Sequence, residues 1–498
     1  MILSNGQFPS PTLRLKQGDK VEFLVNNSMP FEATVHFHGI EQRGTPWSDG
    51  VPGLSQKPIA PGDQFFYTWT ATHYGTYIYH AHTRGQIEDG LYGTIYIQPD
   101  ESVEKPFHLI ADDAKELQAM GSVLCLPQDR INALTTPARR RALGNRTLTD
   151  MGCLPPSDPR KANLTPKGFL RGCTPSQGPT EVFEVESASQ YRSWDLINIA
   201  GSLELAFSID QHPLYVYAVD GRYIEPIRVD AITIPIGSRY SVLVKLDQPA
   251  GEYMVRAANT GANQIINGTG IMRYRASTHN RKRLSQPWIT EVGTNATENT
   301  VFLDETRIVP FPVEVPSLHV DRTYILNVDH IGNSYSWTLG NHSYPQSNEE
   351  VTPLLFNRSS IPTKYTITTL NNTWVDLIVN VTTGGQPPHP IHKHSNKYFV
   401  IGSGYGAFRY HSVAEAVKDI PESFNLCNPQ MRDTFFSPPA DAGPSWLAIR
   451  YHVANPGPFL LHCHIQPHLS GGMALAIMDG VDSWPHVPEE YELPAMIH

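Results

Sequence analysis

The sequence predicts an all-β protein made of three Greek-key β-sandwich units. Three observations lead there. Short segments of alternating apolar and polar residues recur along most of the chain, punctuated by turn signals such as Ser48-Asp49-Gly50 and Pro61-Gly62-Asp63. Helical periodicity is scarce, apart from one possible turn around residues 413–417. The third observation is an internal repeat. Gly75-Thr76-Tyr77-Ile78-Tyr79-His80-Ala81-His82 aligns without a gap on Gly457-Pro458-Phe459-Leu460-Leu461-His462-Cys463-His464, and the histidines coincide. At 498 residues the chain is also too long for a single core.

The first unit, residues 1–100, carries strand patterns at 12–15, 21–26, 33–38, 65–70, 76–82 and 93–98. Trp47 and Asp49 fall in the long loop after its first histidine pair. The second unit, 101–280, begins with a stretch (117–178) rich in Pro, Arg and polar residues that holds three cysteines. That stretch reads as a disulfide-tied loop. Strand patterns resume at 181–185, 205–209, 214–219, 231–235, 240–246 and 253–257, with no His-x-His pair among them. A polar linker over roughly 276–320 opens the third unit, 281–498. Its clearest strands are at 373–381, 398–401, 446–453, 459–464 and 474–478.

The chemistry lies in four short runs: His36-Phe37-His38-Gly39, His80-Ala81-His82, His389-Pro390-Ile391-His392-Lys393-His394, and His462-Cys463-His464-Ile465-Gln466-Pro467-His468. Residues two apart on a strand share a face, so each His-x-His pair points one way. Four pairs supply eight imidazoles, enough for a three-metal cluster. A lone pair of this kind is more often packed structure or a surface feature; four of them, one flanking a cysteine, are not. Cys463, with a histidine five residues on and Met473 ten residues on, matches part of a blue-copper site. His389, Cys463 and His468 would then form a separate mononuclear site, with Met473 as weak axial ligand or else a plain core residue. The repeat sharpens this. Ala33, Ala81, Gln86 and Leu91 of unit one stand opposite His389, Cys463, His468 and Met473. Unit one thus keeps cluster histidines and lacks every mononuclear position. The cluster belongs between units one and three, and the single metal inside unit three. His73, His212, His330, His411 and His452 read as packed or exposed residues.

Through His-Phe-His-Gly at 36–39, Tyr-His-Ala-His at 79–82, His-Pro-Ile-His-Lys-His at 389–394 and His-Cys-His-Ile-Gln-Pro-His at 462–468, the chain resembles the multicopper oxidases. Within them it resembles the fungal, ascomycete laccase-like branch. The resemblance implies cupredoxin-like domains and four copper ions: one type 1, one type 2 and two type 3. It implies oxidation of phenolic or catecholic donors coupled to four-electron reduction of O2 to water. By the same resemblance His36 and His392 hold the type 2 copper, and His38, His80, His82, His394, His462 and His464 the type 3 pair. His468 is expected as the partly exposed type 1 ligand through which substrate electrons pass. Oxygen reduction consumes protons, and Asp49 in Trp-Ser-Asp-Gly is the candidate donor, against an ordinary Asp-Gly turn. Many relatives carry an acid where this chain has Gln466. Where laccases often place a substrate acid the chain has Ser202, and Glu204 two residues on reads as a solvated strand residue. His-Lys-His-Ser-Asn-Lys at 392–397 points toward the branch linked to pigment and phenolic secondary metabolites. Ascorbate oxidase fits Pro467-His468 and Met473 almost as well as laccase. A ferroxidase would need carboxylates beside His468 or His389, and no clear pair is visible. Copper storage or carriage is disfavoured by the closed set of ten histidines and one cysteine.

The net charge of −10 and the lack of a long basic run argue against a nucleic-acid partner. No stretch is long and apolar enough to span a membrane. With Cys463 set aside, Cys125, Cys153, Cys173 and Cys427 could make two disulfides in any of three connectivities. Nine Asn-x-Ser/Thr sequons, beginning with Asn26, Asn145, Asn163, Asn267 and Asn295, favour a secreted glycoprotein. The opening Met-Ile-Leu-Ser-Asn-Gly-Gln-Phe-Pro shows no signal peptide. Similar family members reach such a run only after a signal and an extra strand, so a late start is expected.

Overall fold

The computed structural model describes residues 1–109, 122–126, 180–186, 190–260, 267–275, 286–290, 292–332 and 336–491. Alternating side chains close three β-sandwiches in chain order. In the first, a four-stranded sheet runs Ser10–Lys16, Tyr92–Gln98, Gly75–Ala81, Val35–His38. The antiparallel pair Lys20–Asn26 and Gln64–Thr70 packs against it. Phe37 and Tyr79 from the sheet meet Phe23 and Tyr67 from the pair, with Phe23 and Phe37 edge to face at 5.3 Å. Each such side chain contributes roughly 1.5–3 kcal/mol on burial.

Two five-stranded sheets enclose the middle core around Trp194, Phe207 and Tyr253. Ser122–Leu126 runs parallel to Tyr191–Asn198 at one sheet edge. It lies inside the stretch read from sequence as loop, where Val-Leu-Cys-Leu was too short a β-prone run to stand out. The rest of that stretch lies outside the described residues. The linker also differs from expectation, because it docks along the middle sandwich. Asp230 N–H donates to the Val301 carbonyl (2.7 Å), Leu303 N–H to Ala231 (3.0 Å) and Glu225 N–H to Val309 (2.8 Å). A backbone-paired segment of this kind satisfies its own polar groups against the neighbouring unit.

The third sandwich stacks a six-stranded sheet on a five-stranded one, the latter in the order Thr366–Thr368, Ala474–Asp479, Gly457–Cys463, Pro390–Lys393, Thr434–Phe436. Cys463 and Met473 sit in its apolar core with Leu461, Leu475 and Ile477. Helix Val413–Asp419 stands where the possible helical turn is expected, capped by Ser412 Oγ accepting from Glu415 N–H at 3.2 Å. A second short helix, Gln466–Ser470, follows the cysteine strand, with proline in its first turn. The repeat is realised in register: His36 pairs with His80 in the first sandwich, and His392 with His462 in the third.

Cys427 is exposed with its thiol free. The side chains of Cys125, Cys153 and Cys173 lie outside the described residues, and any pairing lies there too. Of the sequons, Asn26, Asn295, Asn341 and Asn357 are exposed. Asn380 is buried, donating to Asn327 and accepting from Phe408 N–H, so it has no room for a glycan.

Candidate metal centre

Four buried strand ends bring eight imidazoles together between the first and third sandwiches. The strands force this, because His36 and His38 face His80 and His82 within one sheet, while His392 and His394 face His462 and His464 within another. The rings sort into His36 with His392 and His394, His36 with His38 and His80, and His82 with His394 and His462. His464 Nε2 approaches His38 Nδ1 at 3.2 Å.

Hydrogen bonds fix which nitrogens point inward. His36 Nδ1–H donates to the Asp49 carbonyl (2.7 Å) and His392 Nδ1–H to the Asp433 carbonyl (2.8 Å). His394 Nδ1–H donates to Asp49 Oδ2 (2.9 Å) and His462 Nδ1–H to the Cys463 carbonyl (3.0 Å). The inner nitrogens are therefore bare acceptors. Yet His36 Nε2 faces His392 Nε2 at 3.5 Å, and His394 Nε2 faces His462 Nε2 at 3.3 Å. Two lone pairs so close need a cation between them. It is not a proton, because burial pushes His462 down to about 3 and His392 and His394 well below their ordinary value. His80 Nε2 and His82 Nε2 are likewise buried without a protein partner. Metal–nitrogen bonds of ~2 Å span such gaps. The residues fit copper.

Asp49 follows the 3-10 turn Pro46–Ser48 and is fully buried. Its carboxylate bridges the units, with Oδ2 on His394 and Oδ1 3.3 Å from His36 Nδ1. Gly50 makes the approach possible: at φ +80°, an added Cβ would lie 1.9 Å from the Val35 carbonyl oxygen. Sequence reasoning missed a second acid. Asp433 lies 3.3 Å from His38 Nε2, and Arg239 clasps it with both guanidinium nitrogens while Lys397 adds a third donor. Burial alone would raise the Asp433 carboxyl; the charges of Arg239 and Lys397 hold it well below the usual range. Asp220 continues the network through Arg239 (3.3 Å) and Arg432 (2.7 Å), and Arg432 reaches Glu305 (3.1 Å). These charges come singly from distant parts of the chain, and no spacing announces them.

The mononuclear donors also converge. His389 and His468 present Nδ1 atoms 3.2 Å apart, with Cys463 Sγ at 3.9 and 3.5 Å from them. His389 Nε2–H donates to Gln386 Oε1 (3.0 Å), which leaves Nδ1 bare. Burial pushes the Cys463 thiol up, so a bound cation is needed to draw off its proton. Met473 is fully buried, and its carbonyl accepts from Cys463 N–H at 3.1 Å. His468 is more enclosed than expected. It keeps 8% of its surface against none for His389, because Trp337 covers its ring at 4.1 Å. Gln466 is buried, its backbone N–H donating to the Gly201 carbonyl at 2.8 Å. Glu204 is half-buried, one residue ahead of the strand Leu205–Ile209. Burial raises its carboxyl, and Thr260 Oγ1–H donates to it at 3.1 Å.

Neutral buried rings make acid the weak side of the metal-free protein. His389 and His462 are both pushed down to about 3, against an ordinary value near ~6.5. As pH falls below that value the unfolded chain takes up protons that the native rings refuse, so stability is lost on the way toward pH 3. At pH 5 each ring accounts for ~2 kcal/mol. The urea midpoint of metal-free protein should therefore drop between pH 7 and pH 5, and copper-loaded protein should drop less. A metal-free midpoint that holds steady would show that these rings are not buried and neutral.

Fold and site together define a copper oxidoreductase on a β-sandwich frame. Models of the multicopper oxidase family match residues 1–102, 143–277 and 334–483. The chain is 41% identical to laccase abr2 of Aspergillus fumigatus, over 98% of this chain and 92% of that protein. It is 37% identical to multicopper oxidase VdtB of Byssochlamys spectabilis, over 99% and 82%. Among solved structures, the laccase from Botrytis aclada superposes with a TM-score of 0.74 at 26% identity, covering 98% of this chain and 85% of that one. Fet3p, a multicopper oxidase of iron import, shares the fold at a TM-score of 0.70 and 24% identity, over 98% and 89%. The chain belongs to the multicopper oxidase family. Its three sandwiches are cupredoxin-like.

Proposed function

We propose that this chain is a laccase-like oxidase of phenolic and catecholic donors that uses O2 as acceptor and carries four copper ions. His389, Cys463 and His468, with Met473 as weak axial donor, hold the type 1 copper. His36 and His392 hold type 2; His38, His80 and His464 hold one type 3 ion, and His82, His394 and His462 the other. The same reading divides the chain into 1–100, 101–280 and 281–498. Exposed sequons support a secreted glycoprotein. The observation that carries the reading is the complete set of inward, bare donor atoms in two groups, joined through the single segment His462-Cys463-His464.

Bound copper supplies one-electron oxidation of the donor and four-electron reduction of O2 to water. The chain's own residues do the rest. The Cys463 backbone links the two donor groups, its carbonyl orienting His462. Gln386 orients His389, and Trp337 keeps water from the His468 ring. Four donors each give up one electron and one proton, and O2 takes four of each to become two waters. The oxidised phenols leave as radicals that couple, the chemistry of pigment and phenolic secondary-metabolite assembly. Steady-state assays with a phenol, ascorbate and Fe(II) side by side test the reading. The phenol should give the highest kcat/KM, and a higher value for Fe(II) or ascorbate would overturn it.

Asp49 accepts from His394 Nδ1–H and, when its own carboxyl carries a proton, donates that proton to the cluster. Asp49→Asn keeps an acceptor for His394 Nδ1–H and removes the acid. Reoxidation of the reduced enzyme by O2 should slow about a hundredfold, within the range of general acid catalysis. The loss should be greatest at higher pH, with the blue absorption intact. Equal stopped-flow reoxidation rates would leave Asp49 a ligand-orienting residue only.

A further inference from the structure

A cleft of about 980 Å³ opens between the first and middle sandwiches, apart from both metal groups. Its size is that of sites for small organic ligands, ~300–1,000 Å³. It lies at the Gly75–Thr76 end of the strand that carries His80 four residues further on, roughly 13 Å away at the strand rise. Its end wall forms where two glycines meet: a Cβ on Gly75 would stand 2.4 Å from Gly221 Cα.

Three features of the lining point to one chemistry. The walls are aromatic. Tyr74 and Tyr223 lie with ring centres 4.5 Å apart, and Phe107 meets Tyr217 edge to face at 5.1 Å. Such faces take a flat ring. Inside sits Asp195, a buried carboxyl that the oxidase chemistry does not use, accepting from Ser241 Oγ–H at 2.6 Å. Burial raises that carboxyl, which favours a hydrogen bond with a neutral hydroxyl over a salt bridge. The third feature is charge. Arg14, Lys16 and Lys105 line the cleft against a single exposed carboxylate, Asp19, in a chain whose net charge is −10. The guanidinium of Arg14 lies close enough to act on both Asp195 and Tyr96.

We propose that this cleft is a second small-molecule site, specific for hydroxylated aromatic acids: the ring lies against the tyrosine wall, the hydroxyl meets Asp195 and Ser241, and the carboxylate faces Arg14, Lys16 and Lys105. The site stands independently of the copper assignment. Binding there is noncovalent and leaves the ligand unchanged.

The test is calorimetric titration of the copper-loaded enzyme with 4-hydroxybenzoate under anaerobic conditions, beside 4-hydroxybenzyl alcohol. The acid should bind one per chain, at least tenfold tighter than the alcohol, and weaken with salt. Arg14→Glu combined with Lys105→Glu should weaken it tenfold or more. These positions are surface ones, so folding and phenol-oxidation kinetics should hold. Tyr223→Phe should leave binding within twofold, and Tyr223→Ala should weaken it at least fivefold. Equal binding by enzyme and double charge variant, no preference for the acid over the alcohol, or no binding at millimolar concentration would each overturn the proposal.

Discussion

Replacing Cys463 by serine should abolish the blue absorption and lower phenol oxidation by at least ~10³-fold, a loss of ~4 kcal/mol in the barrier. Copper content should fall by one ion per chain. The reason is local. A serine oxygen in that fully buried position has neither the softness nor the acidity of a thiolate. The cluster rings are fixed by other partners, Asp49 and the Asp433 carbonyl among them, so they stay in place. Retained turnover would mean that electrons are taken up elsewhere. Met473→Leu is the contrasting case. It removes the sulfur at similar volume, so the blue band should persist while its potential rises by tens of millivolts, where ~59 mV is tenfold in a one-electron equilibrium. A redox titration showing no change would return Met473 to the core.

Arg239→Met should cost about 3–5 kcal/mol of stability, the loss expected when one partner leaves a buried ion pair. Arg239 is fully buried and holds both oxygens of Asp433, the Thr76 carbonyl and one oxygen of Asp220. Its loss leaves the buried Asp433 with Lys397 alone and the buried Asp220 with Arg432 alone. Arg239→Lys keeps the charge and loses the planar fork, so it should cost roughly half as much. Chemical denaturation of the copper-loaded enzyme measures both. Equal stability of wild type and Arg239→Met would show that Lys397 and Arg432 alone neutralise the network.

The metal centre was legible in sequence to the extent that it is periodic. His-x-His on a strand fixes both residue type and direction, so His36, His38, His80 and His82 could be placed without coordinates, as could their counterparts at 392–394 and 462–464. The repeat carried the register as well, and the structure pairs His36 with His80 as it pairs His392 with His462. What escaped was held by tertiary contact. Arg239 and Asp433 lie almost two hundred positions apart and meet only through folding. Glu204 is half-buried because Thr260, more than fifty residues on, donates to its carboxylate. The cover over His468 is Trp337, more than a hundred residues upstream, in a three-residue strand with no pattern of its own. The docking of the polar linker could not be read because its pairing partners, Glu225, Asp230 and Ala231, lie some seventy residues before it.

The cluster's donors come from the two ends of the chain, with about three hundred residues between His82 and His389. A ribosome adding ~5–20 residues per second needs roughly 15–60 s to cover that distance. Throughout that interval the first sandwich can be complete while half of its metal donors do not yet exist. His36, His38, His80 and His82 then face a gap that no local contact closes. Copper insertion is therefore an event of the finished chain. Any delivery system must act on a folded or folding full-length protein, not on a nascent one.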